Sequence, residues 1–172
     1  MLDPLVSLVF SVSLALLFFM ASRHKFESIA HFEAQLGAYQ IVPKPLLPVV
    51  ARVLPWIEMS VVFLLFIPAT RVFAASVCAA LLVAYALGMA VNLYRGRTDI
   101  DCGCGAKPQA LSVWLLLRNS VLAVGALVIA IPTVDRGLMA TDLVFVALFT
   151  AALAMAYMTM EELVRNYSAI IK

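Results

Sequence analysis

Five long apolar stretches, approximately residues 4–21, 48–67, 72–93, 111–131 and 138–160, constrain this chain more than any other feature. A helix needs about 20 mostly apolar residues to cross the hydrocarbon core of a bilayer. Lipid offers no partner for backbone N–H and C=O groups, so each stretch must satisfy its own as a helix. The chain is 65% hydrophobic and 13% charged over 172 residues, more apolar surface than a water-soluble domain can bury. The predicted fold class is therefore all-α, a polytopic membrane bundle of about five transmembrane helices forming one domain over residues 1–172. A net charge of +2 with no basic stripe gives no support for nucleic-acid binding.

The first stretch does not read as a secretory leader. It opens MLDPLVSLVF, with Asp3 where a leader carries Lys or Arg. Its apolar run exceeds the roughly 7–15 residues of a leader core, and no small-x-small cleavage site closes it clearly. It reads as a retained transmembrane helix.

The longest polar interval follows, ASRHKFESIAHFEAQLGAYQIVPKP. Phe26, Ile29, Phe32, Leu36 and Tyr39 recur there at steps of three and four, the stripe of an amphipathic helix, while Arg23, Lys25, Glu27 and Glu33 lie off it. Such a helix lies in the membrane interface or caps the mouth of the bundle. Pro43, Pro45 and Pro48 end it, and Pro55 is expected to kink the second span. GxxxG is absent, but Ala and Gly are frequent enough in the later spans for close helix packing.

Ionisable groups within spans are costly and usually face a partner or a cavity. Glu58 falls roughly 15 Å, and Arg118 roughly 10 Å, below the same membrane surface at about 1.5 Å rise per residue. An ion pair between them, or shared lining of a polar pocket, is expected. Arg118 snorkelling to the headgroups is the plainer alternative. Asn119, Asn92 and Trp114 are candidates for the donors and stacking face of a quinone-sized pocket, although Trp114 equally suits an interfacial anchor.

Three cysteines are present. Cys78 lies within the third span among ASVCAALL and is expected to act as a small core hydrophobe. Cys102 and Cys104 sit one glycine apart in the polar segment RGRTDIDCGCGAKP. Residues at i and i+2 have Cα atoms about 5.5–7 Å apart, overlapping the range a disulfide accepts. The ring would be small and strained, and strain makes a disulfide a better oxidant. Closing so small a loop restrains little chain entropy, which weakens a purely structural role. Zinc is the main rival, but no second cysteine pair exists, and His24 and His31 are seven apart rather than three to five. No metal is expected, and a redox pair is the favoured reading. Arg118, the start of the fourth helix and the flanking Arg95 and Arg97 would favour a thiolate, while Asp99 and Asp101 would oppose it.

NLYRGRTDIDCGCG with LSVWLLLRN, together with SRHKFESIAHFEAQLGAYQIVP and LPWIEMS, closely resembles the methylamine utilisation protein MauE family over about residues 20–130. That resemblance implies a role in making the small subunit of methylamine dehydrogenase, a periplasmic protein dense in disulfides. It also implies a thioredoxin-like, membrane-tethered partner of MauD type and Cys102 with Cys104 as the functional pair. One span, an interfacial helix and a cysteine motif at the mouth of the fourth span are similar, more loosely, to vitamin K epoxide reductase. That likeness implies a four-helix core plus one and a quinone as electron acceptor. The sequence departs from it in carrying CxC rather than CxxC and no cysteine pair in its first loop.

The expected activity is thus thiol–disulfide exchange in the bacterial inner membrane. A non-catalytic scaffold that stabilises the partner is the alternative, and a transporter a weaker third. The family implies a periplasmic cysteine pair, but the loops sharing its side hold most of the Arg and Lys, and the positive-inside rule puts that side in the cytoplasm.

Overall fold

The computed structural model describes residues 2–102, 109–134 and 136–170, the last four as backbone only. Cys104 lies outside the described residues. All five apolar stretches are helical: α1 (Pro4–Glu27), α3 (Leu47–Phe66), α4 (Arg71–Tyr94), α5 (Val113–Val128) and α6 (Ala140–Ile170). A shorter helix, α2 (Ile29–Tyr39), occupies the first loop, and a 3₁₀ turn (Lys44–Leu46) leads into α3. Four helices are long and apolar enough to cross a membrane, within Pro4–Glu27, Lys44–Phe66, Arg71–Tyr94 and Ala140–Asn166. Large side chains such as Phe63, Phe73, Leu117 and Phe149 point outward along them, as lipid requires. The protein is a multi-pass helical membrane protein.

The fourth stretch departs from the expected full span. Its 16 residues reach about 24 Å, short of the roughly 30 Å hydrocarbon core. Ser112 is extended, and residues 129–131 continue only as tight turns, Ile129 bonding back to Ala126 and Ile131 to Val128, before Pro132. Near the middle of α3, Pro55 is accommodated without interrupting the helix.

Packing joins α1 to α3 and α4 to α5, with α1 also against α5 and α6. Without a hydrophobic drive between helices in lipid, small residues must let backbones approach. Ala74, Ala75, Cys78 and Ala79 of α4 and Ala123 and Ala126 of α5 form that buried face. Cys78 is fully buried within it, a packing residue as expected. Gly125 serves the same purpose against α1, since a Cβ there would stand 3.1 Å from the Phe10 ring.

The loops divide between two ends. At one, Leu2 bridges Thr133, and Arg136 binds both Asp3 and Asp142. The guanidinium beside Asp3 holds that carboxyl below its ordinary range. At the other, α2 packs on α3 and α4 and reaches the cysteine segment. The stripe read from the sequence is divided: α1 runs on to Glu27, so Phe26 belongs to it and meets Trp56 edge-on at 5.0 Å. Ser28 then breaks the helix and caps α2, its hydroxyl accepting from His31 N–H. Phe32 is the buried residue of α2, which closes the bundle mouth.

Candidate functional site

The cysteine segment is a narrow loop built by its own polar residues. Asp101 pairs with Ala110 across an isolated antiparallel bridge, and Cys102 N–H donates to the Gln109 carbonyl at 2.9 Å. The Asp101 carboxylate holds both strands of the loop. Its Oδ1 accepts from Gln109 N–H at 3.0 Å and its Oδ2 from Gln35 Nε2 of α2 at 2.8 Å. Tyr39, also on α2, donates its hydroxyl to the Cys102 carbonyl at 3.2 Å. The capping helix and the cysteine loop are therefore one unit.

Cys102 is only 9% exposed and packs with Met89, Leu111 and Leu115. It lines a cavity of about 860 Å³ that extends down the bundle between α1, α2, α4, α5 and α6. Leucines and aromatic rings form most of its wall. Among the described residues three ion pairs break this apolar lining, Arg165 with Glu162 on α6 and two that join different helices. Lys25 of α1 binds Glu58 Oε1 of α3, and the Tyr85 hydroxyl donates to the same oxygen at 2.6 Å. The Lys25 ammonium also stands 5.2 Å from the Phe32 ring centre and 5.1 Å from that of Tyr85. Arg118 of α5 binds Glu161 of α6 and lies 5.9 Å from the Tyr157 ring centre.

The expected Glu58–Arg118 pair is corrected by these contacts. Each faces a different neighbour, Lys25 and Glu161 respectively, and what they share is the cavity. Asn119 also lines it, with its amide spent on the Leu115 carbonyl at 2.9 Å. Asn92 and Trp114 do not: among the described residues the cavity wall excludes both. Asn92 is buried, bonding back to Gly88 and accepting from Arg97 Nη1 at 3.4 Å, so it ties the cysteine loop to the end of α4. Trp114 buries its indole N–H away from the cavity, without a hydrogen-bond partner. Arg95 is exposed, with Nη1 3.5 Å from the Gln40 carbonyl.

Lys25, Tyr85, Gln35, Gln109 and Glu161 were not singled out by sequence reasoning. Lys25 had a signal: the buried face of α1 runs Ser7, Ser11, Leu14, Phe18, Ser22, Lys25, an unbroken three–four spacing.

The family model for methylamine utilisation protein MauE matches residues 3–132. A curated methylamine utilization protein MauE from Methylophilus methylotrophus is 33% identical, covering 94% of this chain and 87% of its own length. The protein of the same name from Paracoccus denitrificans is 40% identical over 76% of this chain and 71% of its own. That from Methylorubrum extorquens is 35% identical over 72% and 68%. No solved structure matches the chain significantly.

Proposed function

The chain belongs to the MauE family of methylamine utilisation proteins, and from that premise we propose that it is a membrane thiol–disulfide oxidoreductase with Cys102 and Cys104 as its redox pair. The observation that carries the proposal is the place of Cys102, held in a braced loop at the head of an apolar cavity. A thiol in that position can exchange with a partner outside the bundle and communicate with a ligand inside it.

The partner is a thioredoxin-like, membrane-tethered protein of MauD type, and the client the small subunit of methylamine dehydrogenase. One partner thiolate attacks the Cys102–Cys104 disulfide, forming a mixed disulfide and releasing the other cysteine as a thiolate. The partner's second thiolate then attacks the mixed disulfide. The partner leaves oxidised, and two electrons remain on the cysteine pair. A quinone supplies the sink for two electrons and two protons. The residues fit such a ligand: an apolar channel suits its tail, and buried Glu58 Oε2 awaits a hydrogen-bond donor. The pair faces the periplasm, where disulfides form.

Loss of both cysteines is the test. The double replacement Cys102→Ser, Cys104→Ser should abolish maturation of the dehydrogenase while the protein still accumulates in the membrane. Maturation that survives it would make the chain a scaffold. A membrane-impermeant maleimide added to intact cells should label the reduced pair. If it reaches neither thiol until the membrane is broken, the periplasmic assignment falls.

A further inference from the structure

We propose that Glu58, Lys25 and Tyr85 form the headgroup site of the cavity, and that its ligand is a neutral quinone or quinol with an apolar tail; this rests on the redox reading above. Glu58 is fully buried, and only one of its carboxylate oxygens is engaged. Among the described residues the buried Oε2 has no hydrogen-bond partner. An unsatisfied buried carboxylate oxygen is costly, and the natural remedy is a donor from a ligand.

The chemistry of the surroundings narrows that ligand. At about 860 Å³ the cavity falls within the size of small-molecule sites. Its walls between the spans, among them Leu17, Leu36, Leu82 and Leu122, suit a hydrocarbon tail. The Lys and Arg side chains of the lining are each matched, Lys25 with Glu58, Arg118 with Glu161 and Arg165 with Glu162. A charged headgroup would leave an uncompensated charge in a low-dielectric interior, so the headgroup is neutral. It must still donate to a carboxylate and accept from an ammonium, which carries three donors. A ring oxygen that is a carbonyl when oxidised and a hydroxyl when reduced does both. The hydroxyl form donates to Glu58 Oε2, and the carbonyl form accepts from Lys25. Because Cys102 lines the same cavity, the site also has an electron donor.

Photoaffinity labelling tests this without relying on turnover. The full-length protein in phosphatidylcholine nanodiscs is illuminated with a decyl-tailed azidoquinone, and adducts are mapped by mass spectrometry. Adducts should fall on cavity-lining segments of α1, α2 and α4, and unlabelled decylquinone should compete them away while added phospholipid does not. Glu58→Gln should lower labelling about tenfold at subsaturating probe, as loss of a hydrogen bond to a charged group implies. Tyr85→Phe, which removes the hydroxyl's bond to Glu58, should lower it a few-fold while the protein still folds, and decides the matter if Glu58→Gln fails to fold. Equal labelling in wild type and Tyr85→Phe, adducts on lipid-facing Phe63 and Phe73, or competition by phospholipid would each overturn the proposal. Partner adducts on Cys102 or Cys104, scored without quinone, separate the two readings: adducts with unchanged labelling in the variants sink this site alone, and site-specific labelling without adducts sinks thiol exchange alone.

Discussion

Lys25 on the last turn of α1 and Glu58 midway along α3 form an ion pair whose side chains are 6% and 0% exposed. Breaking such a pair from one side leaves a lone charge in a low-dielectric interior and costs about 3–5 kcal/mol, whereas replacing both partners with apolar groups is often neutral. Lys25→Met and Glu58→Leu should each unfold at markedly lower temperature in detergent. The double variant should recover most of the loss. A double variant as unstable as the sum of the singles would show that the two residues act independently.

Burial of Cys102 restricts attack on its sulfur. A nucleophile must approach along the S–S axis, and Cys102 is shielded by Met89, Leu111 and Leu115. The partner is therefore expected to attack Cys104. Cys102→Ser, which retains Cys104, should accumulate a covalent partner adduct on non-reducing gels, and Cys104→Ser should give little. The reverse distribution would place the attack on Cys102.

Asp101 is a positioning residue for this loop, since it accepts from both Gln109 N–H and Gln35 Nε2. Asp101→Ala removes both bonds, each worth about 1 kcal/mol. Local opening should then expose Cys102, raising its alkylation rate by roughly tenfold while the global unfolding temperature moves little. An unchanged rate would mean that Tyr39 and the backbone bridge suffice.

At the opposite end the Asp3–Arg136 contact is acid-labile. Arg136 holds the Asp3 carboxyl below its ordinary value of 3.8. The folded value is the lower one, so the contact stabilises above the unfolded value and is lost as pH falls from there through the folded value. The unfolding temperature of the wild type should drop over that range more than that of Asp3→Asn, and the gap between them should narrow as pH falls below about 4. Parallel profiles would remove Asp3 as the titrating group.

The spans were legible because lipid imposes length and hydropathy on them directly, and α2 because its apolar residues keep helical spacing. The wall partners of Glu58 and Arg118 were not. Rise per residue gives depth but not azimuth, so two charges below the same surface looked like a pair while facing different helices. The missing datum was where α1 stops. Ending it near residue 21 leaves Lys25 in a loop, whereas continuing its Ser7–Ser11–Leu14–Phe18–Ser22 face by one more step turns Lys25 inward. Glu161 is similar: Val146, Thr150, Ala154 and Tyr157 lead to it by steps of three and four on α6, one residue beyond the apolar stretch.

The shortness of α5 has an electrical consequence. Its lower end is fixed beside the N-terminus through Leu2 and Thr133, so its 16 residues fall about 12 Å short of the 24-residue α4 at the other. Cys102 packs at the level of Met89, some 7 Å below the last residue of α4. On the proposed redox reading the sulfur is a recessed electrode, set beneath the bundle's rim. Electrons entering there from a water-borne donor have already crossed part of the dielectric boundary before any lipid-soluble acceptor takes them.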